Sequence, residues 1–169
     1  MILYHGSTME VSQPRILKSE IGRDFGFAFY TTDIQAQAER WARRRAMIES
    51  RRTKTEIQAI VSVYEWDDSA AKHLQFLQFD GASMEWLELV VTCRSKADYA
   101  HGYDIVEGKI ANDNVGETVS YVMQGIMRKE DAIERLQFEQ INNQIAFCTE
   151  VALRTLYFQN SYLCGSVNP

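Results

Sequence analysis

The chain has 169 residues, 46% hydrophobic and 24% charged, with 9 glycines, 2 prolines and a formal net charge of -5. This balance suits one globular domain with a real core and excludes long disordered linkers. The negative charge argues against a general grip on nucleic acid, though not against a local basic patch, and no run approaches the roughly 18 apolar residues of a membrane span.

In chain order, Ile2 to Tyr4 reads as a short strand that stops at His5-Gly6-Ser7. A polar turn region with Pro14 follows, then Ile16-Leu17, and Gly22 to Gly26 forms a loop around Asp24-Phe25. Phe27 to Thr31, rich in aromatics, predicts a strand. Thr32-Asp33-Ile34-Gln35 has the form of a capping box. The helix it opens places Ile34, Ala38, Trp41, Ala42 and Ile48 near one face. Its far side carries Arg40, Arg43 and Arg44, with Arg51, Arg52 and Lys54 past its end. Ile57, Ala59, Val61 and Val63 alternate with Gln58, Ser62 and Tyr64, as in a strand with one buried face.

A second helix begins near Ser83 and carries Trp86, Leu87, Val90 and Val91. Tyr103 to Val106 reads as a strand and Ile110-Ala111-Asn112-Asp113-Asn114 as the loop after it. Helical spacing returns at Val119, Val122, Met123 and Ile126, then at Ala132, Ile133 and Leu136. Gln144 to Cys148 is a short apolar strand, Thr149 caps a helical turn, and Tyr157 to Leu163 closes a sheet. Strands and helices mix without regular βαβ alternation, so the fold class is α+β. Cys93, Cys148 and Cys164 are odd in number and lack CxxC spacing. Reduced thiols are the simple reading, and no metal site is expected, because His73, His101 and the cysteines have no ligand spacing. The chain start lacks a leader pattern, so a cytoplasmic location is expected.

Three segments combine: Tyr4-His5-Gly6-Ser7; Asp24-Phe25-Gly26 running into Phe29-Tyr30-Thr31-Thr32, with Trp41 eleven residues after Tyr30; and Asn142-Asn143-Gln144-Ile145. In this order they resemble the His–Tyr–Glu class of ADP-ribosyltransferases, which includes the poly(ADP-ribose) polymerases and diphtheria-type toxins. With Tyr103-Asp104-Ile105-Val106 and Ala111-Asn112-Asp113 added, the chain looks most like a family of small bacterial proteins of unassigned function in that superfamily. The matches run from Leu3 to about Leu156.

The resemblance implies one ADP-ribosyltransferase-like domain over 1–169, a split β-sheet core with flanking helices, and NAD as substrate. It implies that His5 bonds the adenosine-side ribose, that the Gly6 backbone pairs with the nicotinamide carboxamide, helped by its missing Cβ, and that Ser7 lies nearby. Tyr30 would stack on the nicotinamide ring, Trp41 would be a second stacking wall, and Asp24-Phe25-Gly26 would be a flexible loop over the donor. Gln144 stands where the class has a glutamate. Its amide can accept from the ribose 2′-hydroxyl but cannot neutralise developing positive charge. Mono-transfer to a macromolecular acceptor, protein or nucleic acid, is therefore the leading expectation. An NAD glycohydrolase and a non-catalytic NAD, ADP-ribose or protein-binding module are the alternatives. A toxin or defence effector with an antitoxin-like partner protein fits such a transferase.

Each residue also has a plainer reading. His5 alone is a strand-end histidine, Tyr30 alone is sheet core, and Trp41 is as readily core as stacking wall. Glu150, six residues after Gln144, suits the first turn of a helix. The arginines from Arg40 onward read as a solvated helix face, with a docking site for an acidic partner or nucleic acid as the lesser reading.

Overall fold

The computed structural model describes residues 1–18, 23–96, 98–109, 113–137 and 142–165. Gly22 and the Ile110-Ala111-Asn112 part of the expected loop lie outside these residues. Among the described residues, seven strands form two sheets. One has the order β1–β3–β7, from β1 (Ile2–Ser7), β3 (Ile60–Trp66) and β7 (Leu156–Leu163). The other has the order β2–β6–β5–β4, from β2 (Phe29–Thr31), β6 (Asn143–Phe147), β5 (Ile105–Lys109) and β4 (Phe76–Gln78). All described pairings are antiparallel except β4 with β5.

The sheets pack face to face. Leu3, Tyr64 and Trp66 from the first meet Phe29, Ile105, Ile145 and Phe147 from the second. Helix α1 (Gln35–Thr53) covers the outer face of the first sheet through Ala38, Ala42 and Ala46 against Val61. Helices α2 (Met84–Ser95), α3 (Asp113–Met123) and α4 (Lys129–Leu136) cover the outer face of the second, where Trp86, Leu87, Val119 and Leu136 close over Val106 and Ala146. The fold is thus mixed α+β. β3 is central, and its two faces bury Val61 on one side and Ser62 and Tyr64 on the other. A strand with one buried face, as the alternation suggested, is therefore too little burial.

Helix ends follow local chemistry. The Ser83 hydroxyl accepts from the Trp86 amide at 3.1 Å, capping α2. Thr149 accepts from the Ala152 amide at 3.2 Å, capping the short α5 (Glu150–Leu153). The Thr32 capping box does not form. The Thr32 hydroxyl accepts instead from Ile34 two residues on, at 3.1 Å, and Gln35 reaches forward to Glu39. Arg51 and Arg52 lie inside α1, which ends at Lys54 in the left-handed conformation. The apolar face of α1 is narrower than its pattern implied: Trp41 is 40% exposed and Ile48 54%. The small alanine side chains let the helix pack close against the strands.

The sheets join at one seam. Tyr4 and Thr32 exchange backbone bonds of 2.8 and 3.0 Å, an isolated bridge between β1 and the end of β2. Beyond it the strands part.

Candidate functional site

A cleft of about 1090 Å³ opens at the parting of the sheets. His5, Gly6 and Ser7 come from the end of β1, Tyr30 from β2, Trp41 from α1 and Gln144 from β6, and all six line it. Segments more than a hundred residues apart in sequence thus converge on one cleft.

The pleat decides what each residue of β1 offers. Backbone groups of alternate residues turn to the same edge of a strand. Tyr4 spends its amide and carbonyl on Thr32. Gly6, two residues on, turns its own pair to the same edge, past the last bond of the seam and into the cleft. Packing gives its missing Cβ a reason besides the one expected. A Cβ there would lie 2.1 Å from the Ala38 carbonyl oxygen and 2.9 Å from the Ala42 nitrogen. Helix–strand packing, with no ligand present, already demands glycine.

His5 is half-buried, with its ring stacked 4.4 Å from that of Phe29. Its Nδ1 lies 2.7 Å from the Tyr30 carbonyl oxygen. A carbonyl only accepts, so Nδ1 carries the proton and Nε2 is left as an acceptor. Burial, together with the Arg45 and Arg23 charges, lowers the histidine's pKa from 6.5 to about 4, against the opposing Tyr30 bond. The unfolded chain therefore binds the proton first as pH falls. Stability is expected to decline from about pH 6.5 to about pH 4 on this residue's account. A urea-denaturation series across that window, with His5→Gln flattening the slope, checks it.

Tyr30 is held by its hydroxyl, which donates to the Gly26 carbonyl at 2.5 Å and accepts from the Phe25 amide at 3.3 Å. Burial, reinforced by the Asp24 charge, raises its pKa well above 10, so it stays a neutral donor. The Arg23 guanidinium sits 5.5 Å from the ring centroid, so the ring already receives a cation.

The Asp24-Phe25-Gly26 stretch is a turn fastened at several points. Gly26 has φ of 73°. Asp24, nearly buried, is bridged by Arg94 at 2.6 Å, and His101 Nε2 donates to the Phe25 carbonyl at 3.1 Å. Asp24 lines the cleft. Phe25 does not: its ring is fully buried in the cluster around Trp86, and only its backbone serves the site, through Tyr30.

Other contributors escaped the sequence reading. Among the described residues the cleft wall carries six arginines (Arg15, Arg23, Arg40, Arg44, Arg45 and Arg94) against Glu10, Asp24 and Glu49. A positive recess in a chain of net charge -5 suits an anionic ligand. Part of the supposed solvated face of α1 is thus cleft wall. Gln37, Trp41 and Arg45 share one stripe at four-residue spacing, and that spacing was readable. The segment after β1 is another wall, fastened by β3: the Ser62 hydroxyl accepts from the Val11 amide at 2.9 Å, and the Tyr64 hydroxyl donates to the Val11 carbonyl. Glu150 is exposed in the first turn of α5 and does not line the cleft.

Among the described residues no cluster of three or more metal-ligating side chains is present. The cysteines are free thiols. No described helix is long and apolar enough to cross a membrane.

A family model described as "Protein of unknown function (DUF3990)" matches residues 1–158. No curated protein and no solved structure matches the chain.

Proposed function

The chain belongs to the DUF3990 family, and from the motif resemblance together with the cleft that gathers those motifs we propose that it is an NAD-dependent mono-ADP-ribosyltransferase. It would break the bond between nicotinamide and ribose and pass ADP-ribose to a macromolecular acceptor. The observation that carries this reading is the seam: His5-Gly6 and Tyr30 face one cleft where two sheets part, under a helix that supplies Trp41 and arginines.

In this reading His5 Nε2 accepts a bond from a hydroxyl of the adenosine ribose. The Gly6 amide and carbonyl pair with the carboxamide, which offers the complementary acceptor and donor. Nicotinamide in NAD is cationic, so the Tyr30 face that holds Arg23 would take it in exchange, with Trp41 as the opposing wall. Arg40, Arg44 and Arg45 supply charge for the pyrophosphate. The Gln144 amide oxygen accepts from the 2′-hydroxyl of the reacting ribose. Nicotinamide leaves with the bonding electron pair as a neutral ring, and C1′ becomes an oxocarbenium-like centre. The acceptor's nucleophile then bonds C1′ and loses its proton. Rate comes from positioning and exclusion of water more than from a charged catalyst.

Labelled NAD, incubated with purified protein alone and then with cell lysate, tests the reading. Nicotinamide release with label on a macromolecule, identified by mass spectrometry, is the expected result. Release without labelled macromolecules would mean a glycohydrolase. The amide at Gln144 also favours a second reading, a module that binds NAD or ADP-ribose without cleaving it, and calorimetric binding without release would establish that one. Gln144→Glu is expected to raise turnover on the order of 10-fold, mostly as hydrolysis, because a carboxylate stabilises the ribose cation. Unchanged turnover would place Gln144 away from the reacting ribose.

A further inference from the structure

We propose that Gln37 is a positioning residue that stands in for a missing strand and sets where Gln144 sits in the cleft. The link to catalysis rests on the transferase reading above; the link to Gln144 does not.

Strand β2 pairs with β6 through Phe29 with Phe147 and ends at Thr31 with Ile145. One more rung on that edge of β6 would fall at Asn143, two residues back along the pleat. The chain has by then turned away, since Thr32 is spent on Tyr4 at the seam. The rung is nevertheless made. The Gln37 side chain donates from Nε2 to the Asn143 carbonyl at 2.7 Å, and its Oε1 accepts from the Asn143 amide at 3.1 Å. A primary amide has the same donor and acceptor as a peptide unit, so it continues the ladder from a helix.

Gln37 is 8% exposed, in the first turn of α1, and lines the cleft. One turn on, Arg40 donates to the Asn142 side chain at 3.2 Å. Helix α1 therefore grips the two residues immediately before Gln144. The same helix carries Trp41 and packs on Gly6, so one rigid body references Gln144 to both walls. Other side chains could fill the space, but glutamine alone reaches with a paired donor and acceptor. Asparagine is too short. Glutamate, when ionised, sets a negative oxygen against the Asn143 carbonyl.

The test uses the full chain as wild type, Gln37→Leu and Gln37→Asn. Hydrogen exchange at the Asn143 amide should accelerate at least about 10-fold in both variants, with β3 and β7 amides unchanged as the check on folding. The side-chain amide signals of Gln144 in a nitrogen–proton NMR spectrum should move. With NAD, kcat should fall roughly 10- to 100-fold while KM changes less than about 3-fold, because a displaced reacting group costs turnover more than binding. Unmoved Gln144 signals in both variants would overturn the proposal, as would a KM-only effect. If the wild type consumes no NAD, the transferase reading fails, and the Gln144 signals still decide the role of Gln37. If Gln37→Leu does not fold, Gln37→Asn carries the same readouts.

Discussion

Replacing Gly6 with alanine is expected to destabilise the protein by about 3 kcal/mol or more, the upper range for overpacking. The added methyl would meet the Ala38 carbonyl at 2.1 Å and the Ala42 nitrogen at 2.9 Å, and both are backbone atoms of α1. No rotamer change relieves such a clash, so the helix itself must lift from β1. Lifting it would separate Ala38, Ala42 and Ala46 from Val61. It would also carry Trp41 and the arginines away from His5. Thermal melts should show Tm lower by roughly 6–12 °C for a domain of this size and, on the transferase reading, NAD affinity lost in parallel. Gly116→Ala in α3 is the control, because a Cβ there meets nothing within 4 Å; helix propensity predicts a gain of up to about 1 kcal/mol. Wild-type stability in Gly6→Ala would mean the helix can retreat at little cost, and the account of the strand–helix contact would be wrong.

The second large effect is expected at Tyr30, where two substitutions separate ring from hydroxyl. Tyr30→Phe keeps the aromatic face but leaves the Phe25 amide and the Gly26 carbonyl without their bridge. It should cost about 1–2 kcal/mol of stability and change NAD affinity little. Tyr30→Ala removes the face as well, and loss of cation–ring attraction should weaken NAD binding by about 2 kcal/mol, roughly 30-fold in Kd. Calorimetry on both proteins reads this directly. Equal affinity in wild type and Tyr30→Ala would remove this ring from the binding site.

How much of this was legible depended on whether a residue's role was local. Ser83 and Thr149 act on amides three residues away, and the helices they cap begin where their side chains predict. Thr32 has the same local pattern but lies at the seam, where its backbone is committed to Tyr4 and its hydroxyl to Ile34. Tertiary pairing overrode the box. Strand β4 was missed because its three residues, Phe76 to Gln78, carry little burial and gain their identity from β5 alongside. At the cleft, His5, Gly6, Ser7, Tyr30, Trp41 and Gln144 were named through the resemblance to ADP-ribosyltransferases, and all line it. Phe25 was named with them, yet its neighbour Asp24 faces the cleft while its own ring turns into the core. Arg94 went unnoticed because its partner Asp24 lies far along the chain, and Gln37 because its partner is Asn143, although the spacing of Gln37 and Arg45 with Trp41 was readable. Arg23 lies only seven residues from Tyr30 and was missed all the same.

The strand order has a consequence for the order of events at birth. β1 is made first, but its sheet is complete only when β7 pairs with β3. β2 must wait for β6, and the Thr31 hydroxyl finds the Ile145 carbonyl across 114 residues. Such pairings must close large loops before they are rewarded, which slows folding. A growing chain therefore carries His5, Gly6 and Tyr30 long before it has a recess in which to assemble them. A ribosome would release most of the polypeptide before the cleft that these residues line could form.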